Sequence, residues 1–333
     1  MDLYDIAIVG GGPAGLFGAY YAGLRGMRTK IIDALPTLGG QLATLYPEKY
    51  IYDMPGFPKV LAKDLAVGFT EQAMQYNPAV CLEERVETLA SDGEVVTLTT
   101  DRSIHHAKSA LITAGVGAFQ PKTLTAPGVQ ELEDRGVSYY VRDKAAYAGQ
   151  RVLVVGGGDS ALDWAITLAD EAASVTLAHR RDAFRAHEET VRAMVGHPNI
   201  ALRAFHEVRA VHGADRVEAV TLFHNQTGVE ETFACDAVLL FLGFSADLGP
   251  IKRWGLNIER NSVTVNDRME TNLPRVFAAG DVTWHDGKLK LIATGVGEAA
   301  VAVNFAKAAI DPKALVFPGH SSEINCPTKA IKV

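Results

Sequence analysis

Two glycine-rich turns, Gly10-Gly11-Gly12-Pro13-Ala14-Gly15 and Gly156-Gly157-Gly158-Asp159-Ser160-Ala161, constrain this chain more than any other feature. Each follows an apolar run of strand character, Ile6-Ala7-Ile8-Val9 or Val152-Leu153-Val154-Val155, and each precedes an alanine-rich run of helical character. That strand–turn–helix context separates a dinucleotide fingerprint from a chance cluster of glycines. The pyrophosphate of a dinucleotide must lie against backbone N–H groups at a helix N-terminus, where unpaired donors and the helix dipole favour an anion. Gly10 and Gly156 then permit the tight turn, Gly12 and Gly158 let the backbone approach the phosphates, and Gly15 and Ala161 let the helix pack on its strand. Pro13 suits the first helical turn, where its missing N–H is no loss. The chain is therefore expected to bind two dinucleotides, with Ala14, Asp159 and Ser160 completing the two turns.

The residue eighteen positions beyond each fingerprint tells the two sites apart. After Gly15 it is Asp33, at the end of Thr29-Lys30-Ile31-Ile32, where a carboxylate hydrogen-bonds an unphosphorylated ribose. After Ala161 it is His179, followed by Arg180 and Arg181, with Arg185 in the same basic run. A carboxylate repels a 2′-phosphate, whereas guanidinium groups hold one through charge-assisted, bidentate hydrogen bonds. The second site reads as an NADP site. On these residues alone the first could hold NAD or FAD.

Further segments carry a resemblance along essentially the whole chain: Leu38-Gly39-Gly40-Gln41-Leu42, residues 45–58 with Tyr46-Pro47-Glu48-Lys49-Tyr50, Thr113-Ala114-Gly115, the basic run 179–188, Gly243-Phe244 and Ala279-Gly280-Asp281. With these the chain resembles the thioredoxin reductase-like flavoproteins, and within them the ferredoxin–NADP reductases of that type. The resemblance implies an α/β fold of two Rossmann-like, three-layer ββα dinucleotide-binding domains, the NADP domain inserted into the FAD domain. It implies FAD at the first turn, with Asp281 on the ribityl and pyrophosphate portion and Gln41, Val86 and Phe119 adding to the FAD set. It further implies Tyr46 stacked on one flavin face, His320 on the other and Ser321 near the reactive edge, the last two in a tail that covers the flavin of the partner subunit in a homodimer.

One absence divides this group of proteins. Thioredoxin reductases of this size carry a Cys-x-x-Cys pair just before the second glycine turn, because a dithiol must relay electrons to a protein disulfide. The corresponding stretch, residues 136–144, has no cysteine, and Cys81, Cys235 and Cys326 are scattered. Electrons are then expected to leave directly from the flavin, which takes a hydride and can release its electrons singly, as a one-electron iron–sulfur carrier requires. The expected activity is NADPH-dependent reduction of ferredoxin or a similar small electron carrier, the reaction of a ferredoxin–NADP(+) reductase. Two alternatives stand beside it: a reductase of flavodoxin or a disulfide protein, and a non-catalytic flavoprotein that senses NADP(H).

The nested order of motifs puts residues 1–117 and 247–333 in the FAD domain and 118–246 in the NADP domain. The two crossings make a plausible hinge, since hydride transfer needs the reacting atoms within roughly 3–3.5 Å. No metal is expected, and His105-His106 reads as surface. A net charge of −7 gives no nucleic-acid footprint. The longest apolar stretch, residues 292–310, contains Glu298, Asn304 and Lys307 and reads as an amphipathic helix rather than a membrane span. With no targeting segment before Tyr4, a soluble cytoplasmic protein is expected. An acidic carrier would need a local basic surface, for which Lys252, Arg253, Lys288, Lys290, Lys329 and Lys332 are candidates.

Overall fold

The computed structural model describes residues 2–115 and 117–319, residues 118–120 and 244–246 by their backbone. His320 and Ser321, expected at the flavin, and Lys329 and Lys332, expected on a docking surface, therefore lie outside the described residues. The chain divides into two compact units, one from residues 1–43, 50–117 and 247–333 and the other from 44–49 and 118–246.

The first unit is built on a five-stranded sheet in the order Val276–Ala278, Ala110–Ile112, Ile6–Val9, Thr29–Ile32, Ala79–Cys81, every pair parallel. Strands such as Ile6–Val9 and Ala110–Ile112 are buried along their whole length, as a parallel sheet covered on both faces demands. Helices Pro13–Leu24, Ala62–Met74 and Ile292–Ile310 belong to this unit. A smaller sheet, Leu3–Tyr4, Ile104–Ala107, Val96–Thr100 and Val86–Ser91, also belongs to it. In Ile292–Ile310 the buried positions Gly295, Glu298, Ala299, Ala302, Val303 and Ala306 recur at helical spacing. Glu298 thus lies on the buried face of the helix, not on the polar face its charge suggested.

The second unit repeats the plan with a parallel sheet in the order Val137–Ser138, Ala237–Leu240, Arg151–Val155, Ser174–His179, Ile200–Ala204. Alternation along Arg151–Val155 splits its apolar side chains between two cores. Leu153 and Val155 join Val208, Val220 and Leu222 of the antiparallel sheet His206–His212, Ala219–His224, Glu230–Ala234. Val152 and Val154 join Leu162, Trp164, Ala165 and Leu168 of the helix Asp159–Ala169. Each unit is thus layered around its own parallel sheet, with the glycine turn at the carboxyl end of a central strand. No helix among the described residues is long and apolar enough to cross a membrane.

Candidate functional site

In the first unit, four neighbouring parallel strands end at one edge. Val9 leads into Gly10, Ile32 into Asp33, Ile112 into Thr113, and Ala278 into Ala279-Gly280-Asp281. The carboxyl edge of a parallel sheet is where open α/β folds bind ligands. Gly10 has φ +110°, and a Cβ there would stand 2.5 Å from the Thr113 carbonyl oxygen, so the position admits only glycine. Thr113 Oγ1 also donates to the Gly10 carbonyl, at 2.8 Å. A Cβ on Gly15 would overlap that same carbonyl oxygen.

Gly12 caps the helix Pro13–Leu24 with extended backbone and no side-chain hydrogen bond. The nearest atom to a Cβ built on it is the Gly40 Cα, 4.0 Å away. The first N–H groups of this helix therefore face a cradle of bare backbone, which suits a pyrophosphate. Asp33 is buried; its Oδ2 accepts from the Gly11 N–H at 2.5 Å and its Oδ1 from the Leu35 N–H at 2.8 Å. Burial pushes its carboxyl above the ordinary aspartate value, and the two N–H groups pull it back.

The Gly280-Asp281 turn comes to the same place. Gly280 has φ +80°, a Cβ on it would touch the Ala14 Cβ at 3.2 Å, and a Cβ on Gly295 would meet the Gly280 Cα at 3.0 Å. The turn is clasped against the start of one helix and the first turns of another. Burial raises the Asp281 carboxyl, opposed by Lys288 and Lys290. The Gln41 amide nitrogen lies 3.5 Å from where a Gly115 Cβ would be, at the same edge. Val86 is buried at the start of its strand. Tyr46 is half-buried and its carbonyl accepts from the Lys49 N–H at 3.0 Å; Lys49 in turn pairs with Asp163 at 2.9 Å. Phe119 is placed by its backbone alone, in the strand Ala118–Pro121.

The second turn keeps the plan and changes the chemistry. Gly156, at φ +152°, would place a Cβ 2.5 Å from the Phe241 carbonyl oxygen, while Gly158 has nothing within 4 Å of its would-be Cβ. Ala161 fits as the third residue of the pattern and is fully buried. Asp159 opens the helix and its Oδ1 accepts from the His187 N–H at 3.1 Å; Ser160 follows, exposed. The His179 ring lies directly over Gly157 and stacks on Phe184, centroids 5.2 Å apart. Its Nε2 donates to the Ala183 carbonyl at 3.2 Å. Burial, then the neighbouring arginines, push the imidazole below its ordinary pKa.

Arg180, Arg181 and Arg185 are exposed, and no salt bridge among the described residues engages them. Two of them, Arg180 and Arg185, are held through backbone. The Arg185 N–H donates to the Gly157 carbonyl at 2.8 Å, and Asn225 Nδ2 donates to the Arg180 carbonyl at 2.9 Å and to Glu207 at 3.0 Å. Sequence reasoning missed Asn225, which comes from the turn of a distant hairpin.

Two expectations need correction. His105 is buried, not at the surface: Lys30 Nζ donates to its Nδ1 at 3.1 Å and its Nε2 donates to Glu84 at 2.7 Å. Cys81, Glu84 and His105 bring their ligating atoms within 4.8 Å of one another. An ammonium can only donate, so Nδ1 is the acceptor and Nε2 holds the proton, the opposite of what a metal bound at Nε2 requires. Lys288 is the second: its side chain is 1% exposed and bound to Glu298, so it offers no docking charge. Lys252 is exposed but paired with Asp247 at 2.7 Å.

With this geometry in hand, residues 4–304 match the family described as pyridine nucleotide-disulphide oxidoreductase. The chain is similar to the Shouchella clausii protein named ferredoxin–NADP reductase 2, 52% identical over 325 residues that cover 97% of this chain and 98% of the relative. It is similar to the Thermus thermophilus ferredoxin–NADP reductase at 49% identity, covering 98% of both chains. Among solved structures it is similar to Lactococcus lactis thioredoxin reductase, with TM-score 0.79, 28% identity, and coverage of 92% and 99% of the two chains.

Proposed function

The chain belongs to the pyridine nucleotide-disulphide oxidoreductase family, whose members bind flavin and NAD(P), and we propose that it is an NADPH-dependent ferredoxin–NADP reductase holding FAD. One observation carries the choice within the family: no thiol pair stands where a dithiol relay would be. Among the described residues Cys81 and Cys235 are free thiols. Burial raises both, Cys235 to about 11, so neither is a reactive thiolate at neutral pH.

In this reading residues 1–117 and 247–333 form the FAD domain and 118–246 the NADP domain. Gly10, Gly12, Pro13, Ala14 and Gly15 present bare N–H groups to the pyrophosphate, Asp33 accepts from the adenosine ribose, and Asp281, Gln41, Val86 and Phe119 line the rest. Tyr46, with His320 and Ser321 from the partner's tail in a homodimer, encloses the ring system. FAD held there would supply the redox chemistry, hydride acceptance and one-electron release, that side chains lack. Gly156, Gly158, Asp159, Ser160 and Ala161 form the coenzyme turn; Arg180, Arg181 and Arg185 hold the 2′-phosphate and His179 forms the floor beneath them. The protein works in the cytoplasm on a small soluble carrier.

The test is steady-state reduction of cytochrome c by NADPH, with and without ferredoxin, beside an assay of thioredoxin disulfide reduction. Ferredoxin is expected to accelerate the first, and the second to give no turnover. Thioredoxin reduction by a variant lacking all three cysteines would overturn the direct electron path.

A further inference from the structure

Beneath the Gly280-Asp281 turn lies a charged cluster that neither glycine fingerprint accounts for. Glu298, buried on the helix Ile292–Ile310, receives three donors. Its Oε2 accepts from the Gly280 N–H at 2.8 Å, with Thr283 Oγ1 3.3 Å away; its Oε1 accepts from His285 Nε2 at 3.0 Å; and Lys288 Nζ reaches both oxygens at 2.6 Å. Thr283 Oγ1 donates its one proton to the Gly280 carbonyl at 2.7 Å, so both polar backbone atoms of Gly280 are tied to this cluster.

A buried ion pair is a poor way to gain stability, since an apolar pair of similar volume commonly holds two elements together as well or better. Helix and turn are already in contact through Gly295 and Gly280. What an apolar pair cannot do is accept a hydrogen bond from the Gly280 N–H, which fixes the peptide plane before Gly280; with the Gly280 carbonyl held by Thr283, both planes flanking this positive-φ residue, and so the start of Asp281, are set. We propose that Glu298 is a positioning residue for the flavin: its carboxylate fixes the Gly280 N–H and thereby the presentation of Asp281, while Lys288 holds that carboxylate in place. This rests on the reading of Asp281 as a flavin contact.

The test measures release of flavin from the purified holoprotein on dilution, followed by recovery of flavin fluorescence, with unfolding midpoints recorded alongside. Glu298→Met/Lys288→Met removes the acceptor and both charges; Glu298→Gln/Lys288→Met removes the charges and keeps a carbonyl oxygen for the Gly280 N–H. The first is expected to release flavin about tenfold faster than the parent and the second within about threefold, at similar unfolding midpoints. Glu298→Asp, which withdraws the carboxylate by one methylene with the charges still present, is expected to speed release severalfold. Equal rates from the two double variants, or a parental rate from Glu298→Asp, overturn the positioning role. Asp281→Asn separates the two levels: fast release there upholds Asp281 as a contact whatever Glu298 does. A parental rate in that variant overturns the contact and the positioning role with it.

Discussion

The two glycine turns share a backbone plan and differ in how tightly protein fills it. In the first, the third residue of the pattern is Gly15, jammed against the Gly10 carbonyl; in the second the same position is Ala161, whose methyl is accommodated. At the far end of each site the contrast is one of charge. Asp33 is buried and held by two backbone N–H groups, whereas Arg180 and Arg181 stand exposed, with only the Arg180 carbonyl held. A site closed around its carboxylate suits a cofactor that stays, and one with free guanidinium groups suits a coenzyme that comes and goes.

The largest effect expected from breaking this contrast is at the third glycine. Gly15→Ala forces a methyl into a backbone oxygen that cannot yield and should destabilise by about 3 kcal/mol or more, giving protein that purifies without yellow colour. Ala161→Gly should lose only about 1 kcal/mol and keep its colour. Visible spectra and unfolding curves of the two variants check this. Equal losses would mean that the turns are packed alike.

Next comes coenzyme choice. Each guanidinium hydrogen bond to a phosphate contributes roughly 1.5–3 kcal/mol, so Arg180→Ala/Arg181→Ala should lower kcat/KM for NADPH by about two orders of magnitude or more and leave NADH nearly unchanged. Equal loss with both coenzymes would make the arginines structural. Asn225→Ala should act in the same direction and more weakly. It removes the bond to Glu207 and the neutral hydrogen bond to the Arg180 carbonyl, the latter worth about 0.5–1.5 kcal/mol, and should cost NADPH up to about tenfold.

The sequence disclosed those parts of the sites that local geometry enforces. A positive φ with a carbonyl where Cβ would stand demands glycine in any context, so Gly10 and Gly156 were legible, and the fixed length of strand and helix carried the count to Asp33 and His179. What stayed hidden depends on contacts distant in sequence. Asn225 reaches Arg180 across 45 positions. Glu298 and Lys288 read as surface charges until Gly280 is seen to need an acceptor. In the strand Ile104–Ala107 the pleat turns Ile104 outward and His105 inward, against their hydropathy, because Glu84 and Lys30 wait on the inner side. The two cores of the second unit were legible only as a single apolar run.

The smallest expected effect contrasts the buried acid of one unit with the histidine of the other by pH. Asp33 has its pKa raised by burial, so above the ordinary value of 3.8 the folded state holds its proton more tightly than the unfolded state, and stability falls as pH rises through that window. His179 has its pKa lowered from 6.5 by burial and by Arg180, Arg181 and Arg185, so below 6.5 the unfolded state binds the proton more readily. Its contribution is fully present above 6.5 and is lost as pH falls toward the lowered value. These two groups therefore act on stability with opposite sign. Replacing His179 by Asn, which cannot titrate, should flatten the decline in unfolding midpoint between about pH 7 and pH 5.5 while leaving the midpoint at pH 8 little changed. A bound 2′-phosphate should offset the arginine charges and move the His179 pKa back up, so NADP+ binding near pH 6 should take up protons that NAD+ binding does not. Calorimetry in buffers of different ionisation enthalpy reads that uptake directly. Equal uptake with both coenzymes would detach His179 from the phosphate end of the site.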